Sequence, residues 1–239
     1  MSKRGSHTLE QVVKCCNCMS APPIGCCSEN NEYLFKEGNG KQIGIAKEDS
    51  NCFCRTCCTP SMRTSEGYIE VDDKRYGANK GCRLGYYFQW CCCERPDVIL
   101  TKDGKVIGSV ELPCYPANMC KIEVVCYKGD QRNEESRLWT LTKCYCNCHT
   151  IYGKQYGCCC DSCKYMDFEV KPGPKCKGKT PSVQKEHFGS TNECYTMADK
   201  YNFDLPGKDK GKKTAILLAA IQFIDMLYFE NNYWGGGGV

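Results

Sequence analysis

The segment Thr214–Phe229 is apolar on nearly every face of a helix. A helix with no polar face cannot lie on a protein surface, so it is either enclosed by the rest of the chain or placed in lipid. At 1.5 Å per residue its 16 residues extend about 24 Å, short of the roughly 30 Å hydrocarbon core of a bilayer. Gln222 and Asp225 also lie within it, and an aspartate at mid-membrane costs on the order of 3 kcal/mol. The favoured reading is therefore a core helix wrapped by strands, with Leu217, Leu218, Ile221, Phe223, Ile224 and Asp225 inside; a transmembrane span is the alternative. Either setting requires a partner for Asp225, such as a lysine or a backbone amide.

The rest of the chain is suited to wrapping. From Glu32 onward short alternating segments are divided by turn residues. Glu32–Lys36 and Lys41–Lys47 flank Glu37-Gly38-Asn39-Gly40, and Asp97–Thr101 and Lys105–Glu111 flank Lys102-Asp103-Gly104. An Asp-Gly pair between apolar alternations is a strong hairpin signal. Gly67–Val71, Arg83–Trp90, Cys120–Tyr127, Arg137–Thr142 and Tyr165–Val170 read as further strands. Many short strands with almost no helix between them predict a mainly β fold, an antiparallel barrel or sandwich. Residues 1–31 are weakly patterned, although Thr8-x-x-Gln11 has the form of a helix cap. The division expected is a cysteine-rich segment 1–31, a barrel domain 32–234 and a disordered glycine tail 235–239.

Cysteine is the compositional outlier, 25 of 239 residues, a level found in disulfide scaffolds. The count is odd and many cysteines are adjacent, as in Cys91-Cys92-Cys93 and Cys158-Cys159-Cys160. Sequence neighbours rarely reach disulfide geometry with one another. With no apolar signal region at Met1–His7 and no Asn-x-Ser/Thr site, a reducing cytosolic setting is expected. The thiols are then metal ligands, lipid acceptors or a compositional bias. Cys52-x-Cys54-x-x-Cys57-Cys58 and Cys144-x-Cys146-x-Cys148-His149 offer enough ligands for zinc, but the second spacing suits a strand with three thiols on one face. A net charge of +4 is too mild to announce nucleic acid, and none is expected as a partner.

Three stretches resemble the phospholipid scramblases. Ala46–Pro60, with Cys52-Phe-Cys-Arg55-Thr-Cys57-Cys58-Thr-Pro60, resembles that family's acidic stretch followed by Cys-x-x-Arg-x-Cys-Cys-x-Pro. Met166-Asp-Phe-Glu-Val170 is similar to its Asp-Phe-Glu-Ile strand, and Ala215–Glu230 is similar to its C-terminal helix ending Ile-Asp-x-x-Phe-Phe-Glu. The resemblance runs from about Asn31 to Trp234 and implies a twelve-stranded antiparallel barrel closed around the C-terminal helix, as in tubby-like proteins.

The resemblance also implies sites. Cys91, Cys92 and Cys93 follow the aromatic stretch Gly85–Trp90 where the family carries acylated cysteines; two or more acyl chains anchor firmly where one does not. Cys158, Cys159 and Cys160 are a second acceptor run. Calcium is the family's cofactor, and its loop falls on Met197–Lys208, leaving Asp199, Asn202, Asp204 and Asp209 as a degenerate ligand set. Met197 and Lys208 replace two acidic ligands, and a hard cation wants six to eight oxygens. Lys208, Lys210, Lys212 and Lys213 precede the helix and would attract anionic lipid, at about 1 kcal/mol each. The expected function is passive, ATP-independent, bidirectional movement of phospholipids by a protein on the cytosolic face of the plasma membrane, held by acyl chains or by the helix. The alternatives are an acyl-tethered adaptor that binds lipid or protein partners, and a zinc-binding regulatory protein.

One motif points elsewhere. Gly173-Pro-Lys-Cys-Lys-Gly178-Lys179-Thr180 satisfies the P-loop pattern. A working P-loop opens a helix after a strand, whereas Pro174 and Pro181 stiffen this segment and no βαβ texture surrounds it. No nucleotide is expected. His7, His149 and His187 accompany no Gly-x-Ser-x-Gly elbow, so no catalytic constellation is read.

Overall fold

Alternation of apolar and polar residues organises almost every element. In the computed structural model, which describes residues 6–12, 31–50, 64–81, 95–113, 121–144, 165–186, 199–205 and 211–229, the strands are β1 (His7–Val12), β2 (Glu32–Glu37), β3 (Gln42–Asp49), β4 (Ser65–Val71), β5 (Lys74–Lys80), β6 (Asp97–Lys102), β7 (Lys105–Glu111), β8 (Lys121–Lys128), β9 (Arg137–Cys144), β10 (Tyr165–Pro172), β11 (Val183–Glu186) and β12 (Lys200–Phe203). Helix α1 (Lys212–Ile224) follows and ends in a π-helical turn, Asp225–Phe229. Each strand pairs antiparallel with its sequence neighbours, and β1 pairs with β12, so the sheet closes into a barrel. Closure removes the exposed edges on which open sheets aggregate.

Tight turns join three of the strand pairs at one end, the base, where the longer 129–136 and 173–182 connections also lie. Asp103 and Gly104 have φ of 51° and 74°, and Asp72 and Asp73 have φ of 52° and 57°. Positive φ at both central residues is the turn that matches strand twist, and aspartate is among the few non-glycine residues that tolerate it. The opposite end is the mouth. The longer intervals 13–31, 50–64, 81–96, 112–120, 145–164 and 187–199 all connect strand ends there. In the sequence, every cysteine except Cys126, Cys144 and Cys176 falls within them.

Inward positions are apolar: Tyr33 and Phe35 on β2, Ile69 and Val71 on β4, Val124 and Cys126 on β8, Trp139 and Leu141 on β9 are all buried. The helix fills the space they enclose, running from base to mouth against β4, β6, β7 and β8. Leu217, Leu218, Ile221, Phe223 and Ile224 are at most 1% exposed. Ile216 needs room that only a glycine leaves: a Cβ on Gly108 would stand 2.5 Å from Ile216 Cδ1 and 2.7 Å from the Tyr127 carbonyl oxygen. No helix of the described residues is long and apolar enough to cross a membrane; α1 is the plug of the barrel, and in this arrangement it is not an anchor.

The barrel closes where its shortest strands meet its first. β11 and β12 have four residues each. Outside, an alternating ladder crosses the seam: Lys36 pairs with Glu10, Glu10 with Lys200 at 3.6 Å, and Lys200 with Glu186 at 3.5 Å. Inside, His7, Phe35 and Phe203 stack with ring centroids 5.5–6.0 Å apart. The aromatic stack carries more of the closure, since exposed ion pairs contribute about 0–1 kcal/mol each.

Two sequence expectations are corrected here. Thr8-x-x-Gln11 caps no helix; it lies in β1, with Leu9 buried between β2 and β12. Tertiary pairing on both sides outweighs a local cap signal. The barrel accordingly starts before residue 32, inside the segment expected to precede it. Residues 173–182 form a turn-bearing connection into β11 rather than into a helix, so the P-loop match lacks the helix terminus that would hold phosphate. The Arg83–Trp90 strand and the glycine tail lie outside the described residues.

Two substitutions test this packing. Leu218→Asp buries an unpaired charge in the plug and is expected to abolish the cooperative thermal unfolding transition. Gly108→Val drives a side chain into Ile216 and the sheet and is expected to cost about 1–3 kcal/mol by urea unfolding; unchanged stability would mean that the helix does not seat against β7.

Candidate functional site

The apolar filling of the barrel gives way to polar side chains at the mouth. Asp225, the first residue after α1, is 1% exposed. Tyr33 from β2 donates its hydroxyl to Asp225 Oδ2 at 2.7 Å, and Tyr201 from β12 donates to Oδ1 at 2.7 Å. Asp225 is also hydrogen-bonded with Asp199, which precedes β12. Asp199 in turn accepts from Lys185 of β11, a lysine with a fully buried side chain. The Lys185 ammonium lies 4.8 Å from the centroid of the Phe229 ring and 5.7 Å from that of Tyr201. A cation over aromatic faces is attracted by their quadrupoles, which offsets part of its desolvation.

Burial dominates the electrostatics of these groups. Burial, then the Asp199 carboxylate, hold the Asp225 carboxyl well above its ordinary range, against the opposing pull of Lys185 and Tyr33. Burial, then the charge of Asp225, push the Tyr201 hydroxyl up as well.

The polar side chains continue around the mouth. The Asp199 amide donates to Gln11 Oε1 at 3.3 Å, Gln11 Nε2 donates to Asn31 Oδ1 at 3.0 Å, and Asn31 Nδ2 donates to Glu48 Oε2 at 2.7 Å. Glu48, Ser65, Gln222, Phe223 and Met226 are among the residues lining a cavity of about 30 Å³ beside the helix. That is room for a water molecule and for nothing as large as a lipid headgroup.

A second charged cluster lies on the outer face. Asp97 and Glu111, paired across β6 and β7, are each 1% exposed. Arg132 reaches Asp97 at 2.5 Å and Glu111 at 3.3 Å, while Arg95 reaches Glu111 at 3.3 Å. Tyr127 is pushed up to about 12, mainly by burial and then by Glu111. Two arginines answered by two carboxylates leave no net charge for an anionic ligand; the cluster fastens the 129–136 connection over the sheet.

Of the sequence-predicted sites, the core helix is found as expected, Asp225 included. The partners of Asp225 are tyrosine hydroxyls and Asp199 rather than the lysine or backbone amide foreseen. Asp199, Asn202 and Asp204 are not brought together for calcium. Asp199 faces inward on Lys185, whereas Asn202 donates to Glu186 at 3.3 Å. Asp204 lies at the base, accepting from the Ser6 amide at 2.8 Å and from Ser182 Oγ at 3.2 Å. Five residues of extended chain separate Asp199 from Asp204 by about 16 Å, on opposite faces. These side chains do not fit a calcium shell, and among the described residues no cluster of His, Cys, Asp or Glu does. Lys212 is exposed at the base, but Lys213 is buried and donates to the Lys177 carbonyl at 3.3 Å, which corrects its reading as a lipid contact. Cys91, Cys92, Cys93, Cys158, Cys159, Cys160, Lys208, Lys210 and Asp209 lie outside the described residues, as do Cys52, Cys54, Cys57 and Cys58. Cys144 ends β9, with Cys146, Cys148 and His149 beyond the described residues.

The network predicts an asymmetry between its members. Lys185→Met leaves Asp199 buried without its cation and is expected to cost about 3–5 kcal/mol, most of it recovered by adding Asp199→Leu. Tyr33→Phe and Tyr201→Phe remove one donor each and are expected to cost about 1 kcal/mol. Urea unfolding of the set checks the order; a Lys185→Met cost no larger than the tyrosine costs would dissolve the pairing.

Comparison with known proteins bears on what such a barrel does. The sequence model of the Scramblase family matches residues 11–231. The chain is similar to phospholipid scramblase 2 of Bos taurus, 26% identical over 204 residues, covering 84% of this chain and 62% of the relative. It is 26% identical over 205 residues to phospholipid scramblase 1 of Homo sapiens, covering 84% of this chain and 57% of the relative. It is also 25% identical over 208 residues to phospholipid scramblase family member 5 of Homo sapiens, covering 86% and 69%. The first two alignments span about three fifths of those relatives' lengths. No solved structure matches significantly. Because the family match takes in all of the barrel from within β1 and the whole plug helix, the chain belongs to the scramblase family.

Proposed function

We propose that this protein moves phospholipids passively between membrane leaflets, in both directions and without ATP. The observation that carries the reading is the family match, which spans the barrel and the plug helix together. The named relatives are phospholipid scramblases, which supports a membrane lipid as what the protein handles.

Attachment is proposed through acylation of Cys91, Cys92 and Cys93, with Cys158, Cys159 and Cys160 as further acceptors. In support, both intervals that hold these cysteines connect strand ends at the mouth, and several acyl chains on one end anchor firmly where a single chain does not. Lys212 opens α1 at the base, the far end of a helix of 13 residues, about 20 Å from the mouth. An anionic-lipid role for Lys208, Lys210 and Lys212 would call for contact at the base instead, so acylation is the reading retained. Calcium control is not part of the proposal, because the ligand set is dispersed.

A second reading, an acyl-tethered adaptor at the cytosolic membrane face, is favoured by one observation: the helix and the aromatic side chains fill the barrel, and the cavity beside α1 is too small for a headgroup. Reconstitution separates the two. In liposomes with a fluorescent lipid, dithionite quenching is expected to reach the inner-leaflet pool faster with protein than without, with no ATP and irrespective of calcium. Membrane binding without faster quenching would sink the translocator and support the adaptor.

A further inference from the structure

The stretch from Val170 to Ser182 carries four lysines and no acidic residue. It joins β10 to β11 at the base, near the start of α1, where Lys212 is also exposed. The backbone there is held from several sides. The Gly173 amide donates to the Leu138 carbonyl at 2.7 Å, and the Lys175 amide to the Arg137 carbonyl at 3.0 Å. The Trp139 indole N–H donates to Cys176 Sγ at 3.1 Å, and Lys213 Nζ donates to the Lys177 carbonyl at 3.3 Å. Pro172, Pro174 and Pro181 stiffen the chain further.

This anchoring decides where the lysines stand. Cys176 is tied to Trp139, while Lys175 and Lys177 on either side of it, and Lys179 beyond, are exposed. Lys179 lies 3.5 Å from Asp204 and Lys171 lies 3.7 Å from Glu169, and exposed pairs of this kind are weak. Among the described residues neither Lys175 nor Lys177 has a carboxylate within ion-pair distance. Like charges held at alternate positions on a fixed loop repel one another, and an anionic surface laid over them relieves that repulsion. Because the loop is already ordered, binding there costs little further conformational entropy.

We propose that Lys175, Lys177 and Lys179, with Lys171 and Lys212, form a docking surface for the anionic phospholipid headgroups of a bilayer. Lysines are point charges on flexible stems and suit a diffuse, phosphate-bearing surface, whereas arginine forks grip a single phosphate in fixed geometry. The stretch 170–182 contains no aromatic residue, hence no platform on which a nucleic-acid base could stack. The length of α1, 13 residues, sets this surface about 20 Å from the mouth. A molecule anchored through its mouth therefore turns its base toward a second, apposed bilayer. That orientation rests on the acylation reading above; the lipid contact itself does not.

The full chain made in bacteria, without acyl chains, tests the contact by sedimentation with vesicles. Binding is expected to phosphatidylcholine vesicles that contain phosphatidylserine, to be absent without it, and to fall as salt rises. The variant Lys175→Gln/Lys177→Gln/Lys179→Gln is expected to bind about fivefold more weakly per lysine removed, roughly a hundredfold in all. The control Lys41→Gln/Lys74→Gln/Lys105→Gln removes three exposed lysines from other turns of the base and is expected to lose far less. Equal losses in the two variants, wild-type binding indifferent to phosphatidylserine, or binding to duplex DNA but not to vesicles overturns the proposal. Acylated full chain in neutral vesicles is then expected to cluster phosphatidylserine vesicles, read by light scattering. No clustering by a chain whose unacylated form binds overturns the placement against a second bilayer. Neither assay measures lipid movement, so failure of the translocator reading and failure of this surface are separate results.

Discussion

Enclosure of the C-terminal helix is the constraint on which this structure depends. Burying a leucine, isoleucine or phenylalanine side chain is worth roughly 1.5–3 kcal/mol, and α1 contributes such residues on every side. Most of that gain vanishes unless walls stand all around the helix, and a flat sheet or a two-layer sandwich covers one or two faces. A closed barrel covers all of them. The inward rows of β2, β4, β6, β8, β9 and β12 are the counterpart of that need, and Gly108 shows the fit is specific: one strand gives up a side chain so that Ile216 can sit against its backbone.

A helix that is apolar all round creates a second difficulty, because hydrophobicity alone does not fix its rotation or depth. Burial area changes little as such a plug turns or slides. Directional contacts must set the position, and the structure supplies them at the mouth. The two tyrosine hydroxyls and Asp199 meet Asp225 in one orientation only. The cost of placing a carboxyl in the core is high if it is unpartnered and modest when each lone pair and proton is used. The same network also takes its members from strands on both sides of the closure, so helix seating and barrel closure are held by one set of bonds.

Much of the fold was legible because it rests on periodicity. The Asp103-Gly104 hairpin, the strands β2, β3, β4 and β6 to β10, and the enclosed helix all follow from alternation and turn chemistry that a sequence displays directly. Three of the strands that were not legible share a physical cause. β1 offers only Leu9 as a strongly apolar inward residue, β11 carries Lys185 inward, and β5 offers Tyr76 and Ala78 amid polar neighbours. Their strand character comes from the partners on either side, which no local pattern reveals. The site was legible by half: Asp225 stands out as a charge in an apolar run, but Tyr33, Asp199 and Lys185 lie up to 192 residues away in the chain and are ordinary where they stand. The Asp199 that resembles a calcium ligand is, in the fold, the counterion of a buried lysine.

The two ends of the barrel are built to different standards, and this bears on where change can occur. At the base, two-residue turns, the His7–Phe35–Phe203 stack and the Lys213 tie to the 173–180 connection leave little slack. At the mouth the strands are joined by longer intervals, and two of the four seam strands are only four residues long. Short strands contribute few ladder bonds, so local opening costs less there than in the eight-residue strands opposite. The groups that resist opening at the mouth are the inner carboxyl network and the outer ladder of Lys36, Glu10, Lys200 and Glu186. Of these, the outer ladder is half-exposed and screened by salt, whereas the inner network is buried and is not. Control over the seam therefore rests with Asp225 and its partners, at the same end of the barrel that carries most of the cysteine-bearing intervals.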